Sequence, residues 1–308
     1  MKLPTLYTDE ELDTKKGQFL EDGYIHHIID EDIDIYDEED NFILSFRKNR
    51  LKTNEIGLEN YKKFALASRG RGASAGPIDP NNGYWKKRKL HKSKDYTTSY
   101  LKKDGTPSKM RVNNQVFSNP IGYFDKSKSM QNDLPCRLTN FTKNHMEKYE
   151  KGLPYIQEIS KWYKKLNPIA YNKQLERANI KPEFKIKDTP FSTFTINRNF
   201  RTALHKDSGD FGGVACLSVL EEGHYNGGLF MIPEYGIGVN LRQGDILIVN
   251  VHKYHTNSPI WTTPEQDKYN IKNGKTIKEN KEVGTMGIEY NYTRISFVCY
   301  LRDKIINC

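Results

Sequence analysis

From Pro190 onward, short runs of β-branched and aromatic residues alternate with Gly, Asn and Pro, and this texture admits few folds. Residues 191–198, 214–220, 229–232, 237–241, 245–251 and 293–301 each read as a strand too short to be stable alone. Ahead of them Tyr155, Ile156, Ile159, Trp162, Tyr163 and Leu166 recur at helical spacing, with Pro154 expected in the first turn. A second, shorter helix is expected over 171–178. A helical layer followed by close-set strands predicts an α+β fold: a double-stranded β-helix, or jelly roll, buttressed by helices. Residues 151–308 would hold this layer and core, with residues 1–150 an N-terminal extension packed on it.

A chain of 308 residues can bury a core without disulfide or structural-metal staples. Cys136, Cys216, Cys299 and Cys308 lie far apart with no C-x-x-C pair, which argues against a disulfide framework and for a reducing compartment. No apolar run approaches a membrane span, and the first residues carry no apolar leader. The expectation is a soluble intracellular protein, cytoplasmic or nuclear, with no membrane partner. Its 19 Tyr, 14 Phe and 3 Trp argue against wholesale disorder despite a low hydrophobic fraction.

Charge is unevenly spread. Residues 1–60 carry 7 Lys/Arg against 16 Asp/Glu, whereas residues 61–150 carry 19 against 7. The acidic run from Asp30 to Asp40 interleaves Ile33, Ile35 and Tyr36, which fits a short edge strand better than a solvated tail. In the basic middle, Tyr84 and Trp85 precede Lys86, Lys87, Arg88 and Lys89, a mixture of aromatics and cations suited to nucleic-acid phosphates. A solvated loop is the competing reading of those residues. The glycine-rich stretch from Ser68 to Pro77 lacks the lysine of a phosphate-binding P-loop; it reads as an ordered loop carrying Arg69 and Arg71.

Chemistry concentrates in the strand-rich part. His205-Lys206-Asp207 follows the first strand, and on an extended backbone its histidine and carboxylate share one face. A second histidine, His252 or His255, follows the apolar 245–251 strand. Two histidines and one carboxylate form the facial triad of non-haem Fe(II) oxygenases, which leaves three coordination positions open. Zinc hydrolysis could use similar ligands but needs no arginine downstream to anchor a cosubstrate. Such an arginine is present: Arg294 and Ser296 share a face of the last strand, where a guanidinium fork and a hydroxyl can grip a carboxylate. Gly227-Gly228 in a hairpin and Gly244-Asp245 opening an apolar strand complete the order expected of an iron and 2-oxoglutarate oxygenase.

The wording around these motifs resembles the TET/JBP branch of Fe(II)/2-oxoglutarate dioxygenases. The resemblance covers about residues 190–303. It is carried by the run from Asn199 to Asp207, by Gly227-Gly228-Leu229 and Gly244-Asp245-Ile246-Leu247, by His252 to Pro259, and by Arg294-Ile295-Ser296. It implies hydroxylation of the methyl group of thymine or 5-methylcytosine in nucleic acid, duplex DNA above all, with O2 and 2-oxoglutarate consumed and succinate and CO2 released. It assigns His205, Asp207 and His255 to Fe(II) as the catalytic metal set, because the family's distal histidine opens a turn like that from His255 to Pro259. It assigns Arg294 and Ser296 to 2-oxoglutarate and places Asp210 against the target base. Arg201 and the cations Lys86, Lys87, Arg88 and Lys89 are the further substrate-binding candidates. One departure is the 39-residue gap from His255 to Arg294, where residues 262–290 read as an inserted loop over the site. The same iron chemistry on a protein side chain or small molecule, and a non-catalytic binding module, are the rival readings.

Overall fold

The computed structural model describes residues 1–52, 67–69, 72–78, 88–92, 98–112, 114–128, 133–273 and 290–308. Its backbone is a ten-stranded sheet. Nine strands run in the order Lys2–Leu3, Ile33–Asp37, Phe42–Arg47, Ile246–Asn250, Val214–Glu222, Thr293–Tyr300, Thr193–Arg198, Gln115–Phe124 and Arg137–Leu138, and Ala67–Arg69 pairs beside Gln115–Phe124. A smaller sheet orders Thr256–Asn257, Phe230–Ile232, Ile237–Val239 and His27–Ile29.

Strand alternation divides the core in two. Cys216, Leu220, Ile246, Ile248, Ile295, Phe297 and Cys299 turn to the helices, where they meet Tyr155, Ile156, Ile159 and Tyr163. Leu217, Val219, Leu247 and Val249 turn the other way, against Phe230, Ile232, Ile237 and Val239 of the smaller sheet. Two facing sheets with helices on the outer face are the jelly roll that the strand pattern leads one to expect.

The stretch before residue 150 builds both sheets. Ile33–Asp37 pairs with Phe42–Arg47, which in turn flanks Ile246–Asn250, while His27–Ile29 runs parallel to Ile237–Val239. Gln115–Phe124 lies antiparallel to Thr193–Arg198 over six residue pairs. The acidic run forms a strand, but not the edge strand expected: the two residues Lys2–Leu3 pair parallel outside it and take the edge. Its carboxylates meet cations of the next hairpin arm, Asp34 with Arg47 at 2.8 Å and Asp30 with Lys48 at 2.7 Å.

Two local expectations need correction. The first long helix spans Met146–Leu166, so Pro154 lies inside it rather than near its start. Tyr149, buried one turn before Pro154, gives the earlier segment an apolar anchor that offsets the backbone bond proline cannot donate. The second helix, Pro168–Ala178, starts at its own proline behind an Asn167 cap, and the 150/151 division falls within the first. The cysteine reading also fails in part. Cys136 and Cys308, 172 residues apart, form a disulfide, because the turn Asp303–Asn307 folds back beside Arg137–Leu138. Linear spacing could not reveal that return. Cys216 and Cys299 are buried and free.

Ile156 is wholly buried where the long helix meets the sheet. Ile156→Ala should therefore cost about 2–5 kcal/mol in urea unfolding. Metal affinity of the folded fraction should not change, since the helix packs on the sheet face away from the site.

Candidate functional site

The Thr193–Arg198 strand ends at Asn199, and the chain crosses back through Ala203 and Leu204. Both are fully buried and tied by backbone bonds to Ser74 and Gln18. That crossing brings His205 opposite His255. The two exchange backbone bonds, His205 N–H to His255 C=O at 3.1 Å and His255 N–H to His205 C=O at 3.0 Å. Asp207 is held beside them by its N–H, which donates to Val251 C=O at 3.0 Å. The histidines thus hang from one short ladder, and the carboxylate follows with strand alternation.

Second contacts set the ring orientations. His205 Nδ1 lies 2.7 Å from Ala203 C=O and His255 Nδ1 lies 3.0 Å from Lys253 C=O. A carbonyl can only accept, so each Nδ1 carries the proton and each Nε2 keeps its lone pair. Both Nε2 atoms face Asp207, at 3.7 Å and 3.5 Å from its carboxylate oxygens. One ligand atom from each of the three residues lies within 4.8 Å of the others, the only such group among the described residues. Imidazole and carboxylate together are a donor set suited to a divalent iron. His252 is elsewhere: its Nε2–H donates to Asp210 C=O at 2.9 Å and braces the loop after Asp207. The choice between the two histidines, open from spacing alone, is thereby made by the fold.

Burial pushes the His205 imidazolium down to about 4, helped by neighbouring His255 and opposed by Asp207 and the Ala203 carbonyl. Neutral imidazole is the form a metal needs.

Across the same cavity, of about 440 Å³, lie Arg294 and Ser296. They share the face opposite Ile295 and Phe297 on the last strand, as alternation requires. Arg294 is 4% exposed, yet among the described residues its only side-chain bond is from Nη2 to Gly228 C=O at 3.2 Å. Its Nε–H has no acceptor, and among the described residues no carboxylate pairs with it. A buried unpaired guanidinium is costly, so the site is built for an anion that this chain does not itself supply. The two glycines lie not in a hairpin, as expected, but where Asn226–Gly227 pairs with the distant Ile260–Trp261, and they make room there: a Cβ on Gly227 (φ 71°) would collide with the Pro259 carbonyl, and one on Gly228 would press on Arg294 Nε at 3.3 Å. The buried arginine and the His–Asp–His group fit a 2-oxoglutarate and iron pair.

The remaining candidates divide. Asp210 lines the cavity, buried. Desolvation, and then the nearby Asp207 charge, push its carboxyl well above the usual range against the pull of Arg302. Arg201 does not line the cavity, contrary to expectation. Its guanidinium donates to Leu20 C=O at 2.7 Å, pairs with Glu21 at 3.0 Å, and so clamps the N-terminal segment over the crossing chain. Lys86, Lys87 and Arg71 lie outside the described residues. Arg88 and Lys89 are exposed at the start of a three-stranded ribbon, Leu90–Lys92, Thr98–Leu101 and Pro107–Val112. The glycine-rich stretch contributes Ser74 to the cavity wall.

Sequence reading missed several residues. Asn197 is buried on the cavity wall with its Oδ1 unpartnered, one step in the ladder from both Ser118 and Ser296. Alternation back from the strand end would have found it. Lys102, Lys103 and Lys109 are exposed on the ribbon, and the Lys-Lys-Asp-Gly turn was the available signal. Of the inserted stretch, Pro264–Lys272 is a helix docked by Asn270, which accepts from His224 N–H at 2.7 Å and donates to His224 C=O at 2.8 Å. Residues 274–289 lie outside the described residues.

The depressed His205 value has a sign that can be checked. In the metal-free protein the unfolded chain takes up a proton at about 6.5, the folded chain only near 4. Stability should therefore fall as pH drops from 6.5 towards 4, by on the order of 3 kcal/mol, and level off below. Urea unfolding at pH 7 and pH 4.5 should show this difference shrinking in His205→Asn.

The family model Tet_JBP, "Oxygenase domain of the 2OGFeDO superfamily", matches residues 119–303. Thymine dioxygenase JBP1 of Leishmania major is 36% identical over 140 residues, 45% of this chain and 17% of that protein. The bifunctional helicase and thymine dioxygenase JBP2 of Trypanosoma cruzi (strain CL Brener) is 30% identical over 189 residues, 61% of this chain and 15% of that protein. The chain thus spans about one sixth of these relatives' length. A solved structure of NgTET1 in complex with 5mC DNA aligns at TM-score 0.49 and 12% identity, covering 90% of this chain and 82% of that one. No described helix is long and apolar enough to cross a membrane.

Proposed function

This chain belongs to the Tet_JBP family of oxygenase domains, whose superfamily uses Fe(II) and 2-oxoglutarate, and from that premise we propose that it hydroxylates the methyl group of thymine or 5-methylcytosine in duplex DNA. The carrying observation is the buried Arg294, which no carboxylate among the described residues pairs with, facing the His205–Asp207–His255 group across one cavity. An iron with one facial set of protein ligands leaves room for a chelating cosubstrate, whose far carboxylate needs a fixed cation.

In this reading His205, Asp207 and His255 hold Fe(II), and Arg294 with Ser296 grips the distal carboxylate of 2-oxoglutarate. Bound iron, with O2 and 2-oxoglutarate, supplies the oxidising power for C–H hydroxylation, releasing succinate and CO2. The protein's own share is placement. The two Nδ1–H bonds keep both Nε2 lone pairs aimed at one point. Burial favours the neutral acid at Asp210, which can then donate as well as accept a hydrogen bond at a base edge. A base inside a duplex keeps its methyl out of reach, so it must be turned out into the cavity. The phosphates around it would meet the exposed cations Arg88, Lys89, Lys102, Lys103 and Lys109 of the ribbon. Lys86 and Lys87 precede Arg88 in the sequence and lie outside the described residues. Such work belongs inside the cell, in cytoplasm or nucleus.

The decisive experiment incubates the Fe(II)-loaded protein with 2-oxoglutarate and thymine- or 5-methylcytosine-containing duplex, then analyses nucleosides by mass spectrometry. Hydroxymethyl base with matching succinate supports the reading; succinate without altered base moves the activity to a protein or small-molecule substrate. Ala at His205, Asp207 or His255 should each abolish turnover, whereas His252→Ala should leave it largely intact. Arg294→Ala should raise the 2-oxoglutarate requirement roughly 30- to several-thousand-fold, the ~2–5 kcal/mol lost when one partner of a buried charge pair is removed. Ser296→Ala should cost about 1 kcal/mol.

A second outcome concerns the ribbon. Replacing Lys89, Lys102, Lys103 and Lys109 by Gln should weaken binding to all duplexes alike and flatten its salt dependence by roughly 0.9 per lost phosphate contact. Uncoupled 2-oxoglutarate turnover should be untouched. Duplex affinity that ignores both salt and these substitutions would remove the ribbon from the interface.

A further inference from the structure

Asn199 stands where the Thr193–Arg198 strand leaves the sheet. Its φ of 46° is left-handed, a region non-glycine residues seldom enter and asparagine tolerates better than most. Up to this point the ladder with the last strand is regular, ending at Arg198 opposite Ile295. One step further, Asn199 N–H still donates to Arg294 C=O, at 2.8 Å. The return bond changes hands: Arg294 N–H donates to Oδ1 of the Asn199 side chain, at 2.7 Å. The same amide's Nδ2 donates to Tyr292 C=O at 3.1 Å.

The side chain therefore stands in for the next peptide of a strand that is no longer there. The main chain is free to turn away towards His205, while the last strand keeps its bonding on this edge through Tyr292 and Arg294. All three residues are buried, so neither the Arg294 N–H nor the Tyr292 carbonyl has water to fall back on. Arg294 reaches the cavity on a long side chain, and a small shift of its peptide is magnified at the guanidinium. A residue with one short polar side chain and access to left-handed φ is what this junction demands, and Asn is nearly alone in meeting both needs.

We propose that Asn199 is a positioning residue for the anion clamp: it sets Arg294 by holding the peptide groups on either side of it, and through the same turn sends the chain to His205. This rests on the reading of Arg294 as the 2-oxoglutarate contact. Asn199 itself does not touch the cosubstrate. Its effect is on 2-oxoglutarate affinity, with the metal group, held by its own ladder between His205 and His255, left in place.

The test is a double-mutant cycle read by equilibrium binding of 2-oxoglutarate to the anaerobic Fe(II)-loaded protein, with Fe(II) affinity measured separately without 2-oxoglutarate. Asn199→Gly keeps the left-handed turn and deletes both side-chain bonds. It should weaken 2-oxoglutarate binding about 10-fold, the loss expected for one to two buried hydrogen bonds, at unchanged Fe(II) affinity. In an Arg294→Ala background the same substitution should have no further effect, because its target is already gone. Asn199→Ser, whose hydroxyl is too short to span both partners, carries the same comparison if the glycine variant does not fold. Parent-like 2-oxoglutarate binding in Asn199→Gly, or a loss of equal size in the Arg294→Ala background, overturns the proposal. If Arg294→Ala alone binds 2-oxoglutarate as the parent does, the clamp reading itself falls, and that single variant identifies this failure.

Discussion

A pleated strand sends neighbouring side chains to opposite faces, and the organisation of this molecule depends on the last strand using both faces for different purposes. Ile295, Phe297 and Cys299 lock it to the helical layer, while Arg294 and Ser296 look into the cavity. The apolar set cannot slip by one residue without exposing itself and burying its polar neighbours against tyrosines of the helices. Core packing thus also fixes the register of Arg294 and Ser296. Because Val214–Glu222 and Thr193–Arg198 flank this strand on either side, Arg294 and Ser296 stand on an inner strand near the middle of the sheet.

The metal group has a different foundation. His205 and His255 come from segments far apart in the chain, joined by one isolated pair of backbone bonds and steered by the carbonyls of Ala203 and Lys253. Those carbonyls cost little, since they would need partners anyway, and they remove the tautomeric freedom that would otherwise halve the ready population. Two features of this cavity are electrostatically unfavourable: burial pushes the His205 imidazolium down, and among the described residues no carboxylate pairs with the buried Arg294. A divalent cation and a dicarboxylate relieve both at once.

The region before the oxygenase core is often the least legible part of such a chain, and here its role was only half read. The interleaved isoleucines of the acidic run pointed to an edge strand; a strand it is, but Lys2–Leu3 takes the edge. Nothing local announced that Gln115–Phe124 would lie against Thr193–Arg198, that Arg201 would be spent on Leu20 and Glu21, or that Cys308 would return to Cys136. Each of these is a contact between residues more than 70 positions apart. Pro154 misled for the opposite reason: a strong local rule was overridden by the burial of Tyr149 one turn earlier.

The sequence by itself determined what depends on short-range periodicity and residue chemistry. The strands after Pro190, the shared face of Arg294 and Ser296, and the donor types of His205 and Asp207 all follow from period-two alternation and from what imidazole, carboxylate and guanidinium can bind. Tertiary structure alone decided which of His252 and His255 meets them, because three residues of turn carry one to the Asp210 carbonyl and the other to Asp207. It alone decided that Asn199 would finish a strand with its side chain, and that Arg294 would be buried with no carboxylate among the described residues to pair with it. Those outcomes depend on which distant segments arrive beside a residue, and chain closure over such separations leaves no trace in local pattern.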